Sequence, residues 1–498
     1  MNTRVHAAGL EMTSVGAQAI GRGGAFVARA SDPTAMAHNV AGLAGVRGWQ
    51  VTASGYVALW QHCFARSGRY DGVDRGIVTE GTIFANSQYA NGRTAYPEVC
   101  NEGGPGIVPQ LLVSRSIGSW LTIGGGLLTP AGVSAQRFAD RVQTSNGLAP
   151  APQRYQVVST GILVVHPTIA AAVQPLPWLR IGAALQPSIA RFNGTTIVNA
   201  FGTQSPAGDI QTAADAWGFF FAGNVGVQIA PLPWLTIGAH AHINGGPVQL
   251  RGRTTATSQF YAADPSRRNV SQFDTEVSLP LPSTIRVGAR AASLRPGASA
   301  SMAERDPMRD ELFDVELDVS WENGSVLDAV RTRNSGELEF SPGARFPVTP
   351  VAALRRSWRD VFGIRVGGDY NVIRDVLAVR AGFAWEQGAQ TGPRVWQRQV
   401  VETNPDAGID TTAYDNINLS LGASVRWRWL TIDAAYQHSF VANNVVDNGR
   451  ATIVSGLVAV DAAACAMMGP PGPGACSNNR GEYRASLDVF SLGATARF

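Results

Sequence analysis

The sequence predicts an all-β fold, a transmembrane antiparallel β-barrel of about fourteen strands, apolar outside and polar in the lumen. Three observations carry this. The closing stretch, residues 486–498, puts Phe490, Leu492, Ala494, Ala496 and Phe498 on one face and Val489, Ser491, Gly493, Thr495 and Arg497 on the other. Successive strand residues point to opposite faces, so one face is apolar and ends on an aromatic, while the other is mostly small, polar and cationic. A strand start also recurs as a Trp-Leu pair, at Trp120-Leu121, Trp178-Leu179, Trp234-Leu235 and Trp429-Leu430. Indoles gathered at one end of their strands fit a girdle at headgroup depth. Finally, the joins between segments alternate between short and long, as tight periplasmic turns and long outer loops do. A two-layer sandwich shares the side-chain alternation but gives no reason for the indoles to share one end.

Composition agrees. Of 498 residues only 15% are charged, against about 25% in a typical soluble domain, while glycine numbers 55 and hydrophobic residues make up 45%. No run of about eighteen uncharged apolar residues occurs, which excludes transmembrane helices as the main architecture. A net charge of +3 argues against a nucleic-acid partner. All 40 basic residues are arginine, which reads as codon bias before function. The opening MNTRVHAAGLEMTS lacks the apolar core of a signal peptide, so an export signal is expected to have been trimmed or the start misassigned. The four cysteines fall in two loops, Cys63 with Cys100 and Cys465 with Cys476. An even count outside strands suggests two local disulfides in an oxidising compartment. Metal binding is the weaker alternative, because no CxxC spacing exists and His62 is a lone candidate; no metal or cofactor is expected.

Along the chain, residues 1–48 lack the strand period. They hold the glycine-rich Gly21-Arg22-Gly23-Gly24-Ala25, then Ser31-Asp32-Pro33-Thr34, a helix start with proline just inside. Period two begins at Trp49. Strands are predicted at 49–61, 107–117, 120–129, 155–173, 178–190, 217–229, 234–250, 281–292, 311–322, 359–370, 376–387, 415–427, 429–440 and 484–498. Two of the Trp-Leu strands follow a Pro-Leu-Pro turn, where a missing ladder donor does no harm. Only 293–310 breaks the short-turn rule, through either a missed strand or an elaborated turn.

Strand 311–322 shows which face is lumenal. Phe313, Val315, Leu317, Val319 and Trp321 share one face, and Asp314, Glu316, Asp318 and Glu322 the other. The neighbouring strands carry Arg286 and Arg290 on one side and Arg365 and Asp369 on the other. Carboxylates facing lipid would be prohibitive, so this row lines the lumen and pairs with the arginines.

At this level of detail the chain resembles the FadL-type outer-membrane transporters of long-chain fatty acids and aromatic hydrocarbons. Asn39-Val40-Ala41-Gly42-Leu43 looks like the end of that family's hatch, an Asn-Pro-Ala signature with Val40 in place of proline. Gly126-Leu-Leu-Thr-Pro130-Ala-Gly132, Pro167-Thr168-Ile169-Ala170, Leu281-Pro282-Ser283-Thr284, Trp358-Arg359-Asp360 and Arg380-Ala381-Gly382 are similar to its later signatures, in order. The resemblance implies an N-terminal hatch over 1–48 plugging a barrel over 49–498, with apolar ligands held in a loop groove and then the lumen. It also implies passive release sideways beside a kinked third strand.

Under that reading Gly124, Gly125 and Gly126 are the candidate lateral gate, since a glycine run weakens a strand and leaves no side chains to close a gap. Ile197, Phe201, Phe260, Tyr261 and Phe273 are candidates for the loop groove. Arg286, Arg365 and Arg380 would meet a carboxylate head, with Arg380 the least committed to the acidic row. His38, Asn39, Val40 and Ala41 close the hatch, His38 and Asn39 holding it to the wall by hydrogen bonds. No GxSxG, P-loop, HExxH or dinucleotide fingerprint supports an enzyme. The expected partners are a hydrophobic small molecule and the lipid and lipopolysaccharide of a Gram-negative outer membrane, with the chain a monomer. The alternatives are a general porin for hydrophilic solutes and a structural or adhesive barrel.

Overall fold

The computed structural model describes residues 14–70, 78–299, 301–302, 305–390, 406–409, 413–447, 449 and 478–498, without the side chains of 130–135. Cys465 and Cys476 lie outside the described residues. Fourteen antiparallel strands each pair with the next, and the last pairs with the first, closing a barrel as expected. They are β1 Trp49–Arg66, β2 Gly106–Ile117, β3 Leu121–Arg137, β4 Ser159–Leu176, β5 Leu179–Asn199 and β6 Asp209–Leu232. Four strands are each built in two parts. These are β7 (Leu235–Asn244, Val248–Ser258), β8 (Asn269–Leu279, Thr284–Leu294), β9 (Glu311–Glu322, Ala329–Ser335) and β10 (Val351–Arg355, Val361–Ile373). β11 Leu377–Glu386, β12 Asn416–Trp427, β13 Leu430–Val441 and β14 Gly481–Arg497 complete the wall.

Each predicted strand has its counterpart, but several continue further into the outer region. The reason is visible on their outward faces. Above Ile189 on β5 the outward positions turn to Arg191, which pairs with Asp215 at 2.6 Å, and Arg251 meets Glu276 at 3.2 Å. Such stretches stand above the apolar band and lose the alternation that betrays a membrane strand. Below them the outward side chains are apolar, as with Ile181, Leu185 and Ile189 on β5. From Leu179 to Ile189, about 3.3 Å per residue and a tilt of about 40° give roughly 25 Å of height, the depth of a hydrocarbon core. Trp49, Trp120, Trp178, Trp234 and Trp429 are exposed at the band's lower edge, and Trp429 stacks on Phe498 with ring centroids 5.8 Å apart.

The join 295–310 holds no strand among its described residues; it is an elaborated turn. A short helix, α3 (Pro307–Asp310), is capped by Asp306, whose side chain accepts from Met308 N. The turn reaches across the lower mouth of the barrel. Asp306 pairs with Arg426 of β12 at 2.8 Å, and the Met302 carbonyl accepts from Arg180 of β5.

Residues 14–46 fill the lumen as α1 (Ala17–Gly21), α2 (Ala35–His38) and a 3-10 turn, Val40–Gly45. Val40 takes the first position of that turn, where proline is favoured because its amide is not needed. The plug has two sides. Phe26, Met36, Val40 and Leu43 pack with Leu112 of β2, Leu128 of β3 and Ala170 of β4 into one apolar cluster. Its polar side faces β8 to β13.

Candidate functional site: the plugged lumen and a window in its wall

The polar side of the plug is an ion-pair cluster. Arg22 donates to Asp314 and Asp369 at 2.7 Å each and to Glu316 at 3.2 Å. Arg29 adds Asp369 at 3.3 Å and Asp314 at 3.7 Å. Asp318 accepts the amides of Phe26 and Val27, and Glu316 that of Ala28 at 2.7 Å. The carboxylate row therefore lines the lumen, as its pattern predicts, and its chief counter-charges come from the plug as well as from neighbouring strands. Buried charges are tolerated only when paired and hydrogen-bonded in this way.

Glycines of the wall let the plug come this close. A Cβ on Gly382 would overlap the Arg22 carbonyl carbon, one on Gly367 the Arg22 oxygen, and one on Gly226 the Asn39 side chain. Asn39 does hold the plug to the wall: its Nδ2 donates to Val227 O of β6 and to Val27 O, at 3.0 Å each. His38 does not, because its Nε2 lies 2.8 Å from Val15 O within the plug itself.

Two of the three predicted lumenal cations are already engaged in ion pairs. Arg380 is not the free guanidinium; it bridges Asp369 at 3.2 Å and Asp433 at 3.4 Å beneath the plug. Arg365 pairs with Glu386 and donates to Ser320 at 2.8 Å. Arg286 lies on β8, cross-strand from His240. Sequence spacing hid this because Asp433 stands four strands from Asp314, and only barrel closure brings both carboxylates around one plug.

Among the loop candidates, Ile197 is buried with Tyr155 and Val158, against Phe260. Tyr261 is buried in a second cluster with Phe84 and Tyr89, its hydroxyl donating to Asp140 O at 2.6 Å. Phe273 packs against a third cluster beside Phe340, on which Phe201 makes an edge contact at 5.6 Å. The five therefore serve three adjacent clusters, and Phe201 alone is exposed at 56%. Arg154 clamps these loops, pairing with Asp209 at 2.9 Å, while Tyr155 donates to the same carboxylate at 2.7 Å. Cys63 and Cys100 form the expected disulfide across β1 and the short strand Glu98–Cys100.

Above the plug the lumen is apolar, which the sequence reading missed. The four interrupted strands break at one level, and residues of the breaks turn inward. Leu281, Leu327 and Trp358 join Val164, Leu250 and Leu279 in one buried cluster. Proline and glycine at the breaks, Gly245-Gly246 and Pro280-Leu-Pro282, were the available signal.

The wall itself has a window. β2 and β3 pair from Ile117–Leu121 up to Leu111–Leu127 and, among the described residues, no further. Above that point residues 106–110 pair only with β1, and β3 pairs only with β4, with register shifts after Leu128 and after Val133. At the top, Glu102 N donates to Arg137 O at 2.7 Å and closes the frame. Pro109 and Pro130 stand on the two facing edges, and proline has no amide to give a ladder. Among the described side chains, Thr129 Oγ1 donates across the window to Pro109 O at 3.1 Å, and at its top Asn101 Oδ1 accepts from Arg137 N at 2.9 Å. All three glycines of the predicted gate are paired on both sides. Gly126 is the turning point: its φ is 151°, and a Cβ there would overlap Leu111 O. Met36 of the plug touches the inner face at Gly124, so plug and window share a wall.

Together these features define a class: a closed barrel, corked along its axis, with an apolar upper lumen and a lateral opening. Compared with known proteins, no family model matches the sequence and no curated sequence matches it. Solved structures do match. A Pseudomonas aeruginosa FadL homologue is 16% identical with a TM-score of 0.67, covering 99% of this chain and 100% of its own. The toluene transporter TodX of P. putida is 13% identical at 0.62, and the Ralstonia pickettii toluene transporter TbuX 14% at 0.61, each covering 98% of this chain and 99% of its own. The resemblance drawn from scattered motifs is thus borne out in the fold, which is that of FadL-type channels over nearly the whole chain.

Proposed function

We propose that this chain is a FadL-type channel of a Gram-negative outer membrane, taking up hydrophobic small molecules without energy input. Residues 1–48 act as the hatch and 49–498 as the barrel. Solute gathers among the outer loops, enters the apolar upper lumen, and leaves sideways between β2 and β3 into the membrane. The observation that carries this reading is the framed window beside an apolar lumen, with the hatch and the 295–310 turn standing across the axis. A solute that gains about 0.8 kcal/mol for each CH₂ kept from water has no use for a wet axial pore. The named cargo of two fold relatives, toluene, agrees with a hydrophobic solute. A porin for hydrophilic solutes would need the axis open. No enzymatic step is part of the mechanism.

The test is uptake by Gram-negative cells expressing the chain. Radiolabelled toluene or oleate should enter faster than in empty-vector cells, with disaccharide uptake unchanged. Faster disaccharide entry with no gain for the apolar solutes would mean a hydrophilic porin.

A further inference from the structure

Two histidines and a glutamine beside the apolar lumen have their hydrogens already committed. His166 of β4 and His242 of β7 face inward with ring centroids 5.8 Å apart. Ser188 Oγ donates to Gln186 O at 2.9 Å, so at 2.5 Å it accepts from His166 Nδ1–H. Asn224 Nδ2 donates to Met36 O at 2.8 Å, so its Oδ1, at 2.7 Å, accepts from His242 Nδ1–H. Both rings are thereby assigned the same tautomer, with a bare lone pair on Nε2. Gln186 follows the same logic. Thr168 Oγ1 gives its proton to His166 O, accepts from Gln186 Nε2 at 3.1 Å, and leaves Gln186 Oε1 as an acceptor. His166 Nε2, His242 Nε2 and Gln186 Oε1 are buried and have no hydrogen-bond partner among the described residues. Buried acceptors without donors are costly and call for an explanation.

The surroundings narrow what could satisfy them. Phe220, packed against the apolar cluster, makes an edge contact with His166 at 5.8 Å. His166 also stands cross-strand from Leu128, at the foot of the window. On the other side Arg286 neighbours His240, two residues from His242, so a second cation is disfavoured. A carboxylate would set its own lone pairs against three acceptors. We propose that this cluster is a head-group site for an uncharged hydrogen-bond donor, the hydroxyl of a hydrophobic alcohol or phenol whose body lies in the apolar lumen. This rests on the uptake reading above and adds the class of solute.

The experiment compares a 4-alkylphenol, its methyl ether and the matching 4-alkylbenzoate in cells expressing the full chain. The phenol should compete about tenfold or more better than the ether, the scale set by leaving a buried acceptor unpartnered. His166→Phe with His242→Phe should erase that preference while the ether still enters. A second readout needs no variant: in histidine-¹⁵N-labelled protein, the phenol but not the ether should shift an unprotonated Nε2 resonance of His166 or His242. Equal competition by phenol and ether, with no shift, overturns the head-group site and leaves uptake standing. Tighter benzoate, or zinc displacing the phenol, also overturns it. Failure of all three solutes to enter faster than in empty-vector cells would instead fell the uptake reading.

Discussion

Replacing Arg22 by methionine keeps much of the side-chain bulk and removes one charge from the centre of the hatch. Three buried carboxylates feel it unequally. Asp369 keeps Arg380 at 3.2 Å and Arg29 at 3.3 Å, and Asp314 keeps Arg290 at 2.9 Å. Glu316 retains the Ala28 amide but loses its one guanidinium among the described residues. Removing one partner of a buried pair costs about 3–5 kcal/mol, and two of the three acids here keep a cation, so the lower end applies. About 3 kcal/mol shifts the docked-to-released ratio of the hatch by roughly 10²-fold. In planar bilayers that should appear as large, nonselective openings about a hundred times more frequent than in the parent. Arg29→Met, whose contacts to the carboxylates are longer, should open the channel less. Heat-modifiable migration on gels would show the barrel intact in both. Unchanged openings in Arg22→Met, or a larger effect from Arg29→Met, would refute the assignment of Arg22 as the main anchor.

Gly126→Ile should slow uptake of hydrophobic solutes, because φ of 151° and the overlap with Leu111 O both oppose a side chain. The strain is about 1–3 kcal/mol. Gly125→Ile, at a position without positive φ and with more room for a Cβ, should do much less; equal effects would move the hinge of the window. Hatch docking should also weaken in acid through His38. Burial lowers its pKa to about 3, against 6.5 for the free side chain. The released hatch binds the proton that the docked one refuses, so docking is strongest above pH 6.5 and loses about 2 kcal/mol by pH 5. Openings should therefore rise from pH 7 to pH 5 in the parent and rise less in His38→Asn; parallel profiles would refute this.

Strand count, the indole girdle and the lumenal face of the acidic row were legible because each depends on local period and on the cost of charge in lipid. The upper strand extensions were not, because residues such as Arg191 and Asp215 face water there and carry no membrane signal. The carboxylate partners of Arg22 lie 292 to 347 positions away, beyond any spacing argument. A hint did exist: Asp314, Glu316 and Asp318 crowd one face, and two arginines sit in an otherwise small-residue plug. For the window, the glycine run lies on β3, one of its two edges, but the informative residues were the prolines at 109 and 130 on facing edges. His240-x-His242 on the polar face of β7, in a chain with only 7 histidines, was the trace of the acceptor cluster.

The most direct test of sideways release is a staple across the window. Gln110→Cys with Thr129→Cys places two inward-facing thiols on the facing edges, beside the hydrogen bond that spans them. Oxidised in cells, the double variant should lose most of its uptake of labelled toluene or oleate, while each single cysteine variant keeps it. Full uptake through the stapled wall would show that the solute leaves by another path.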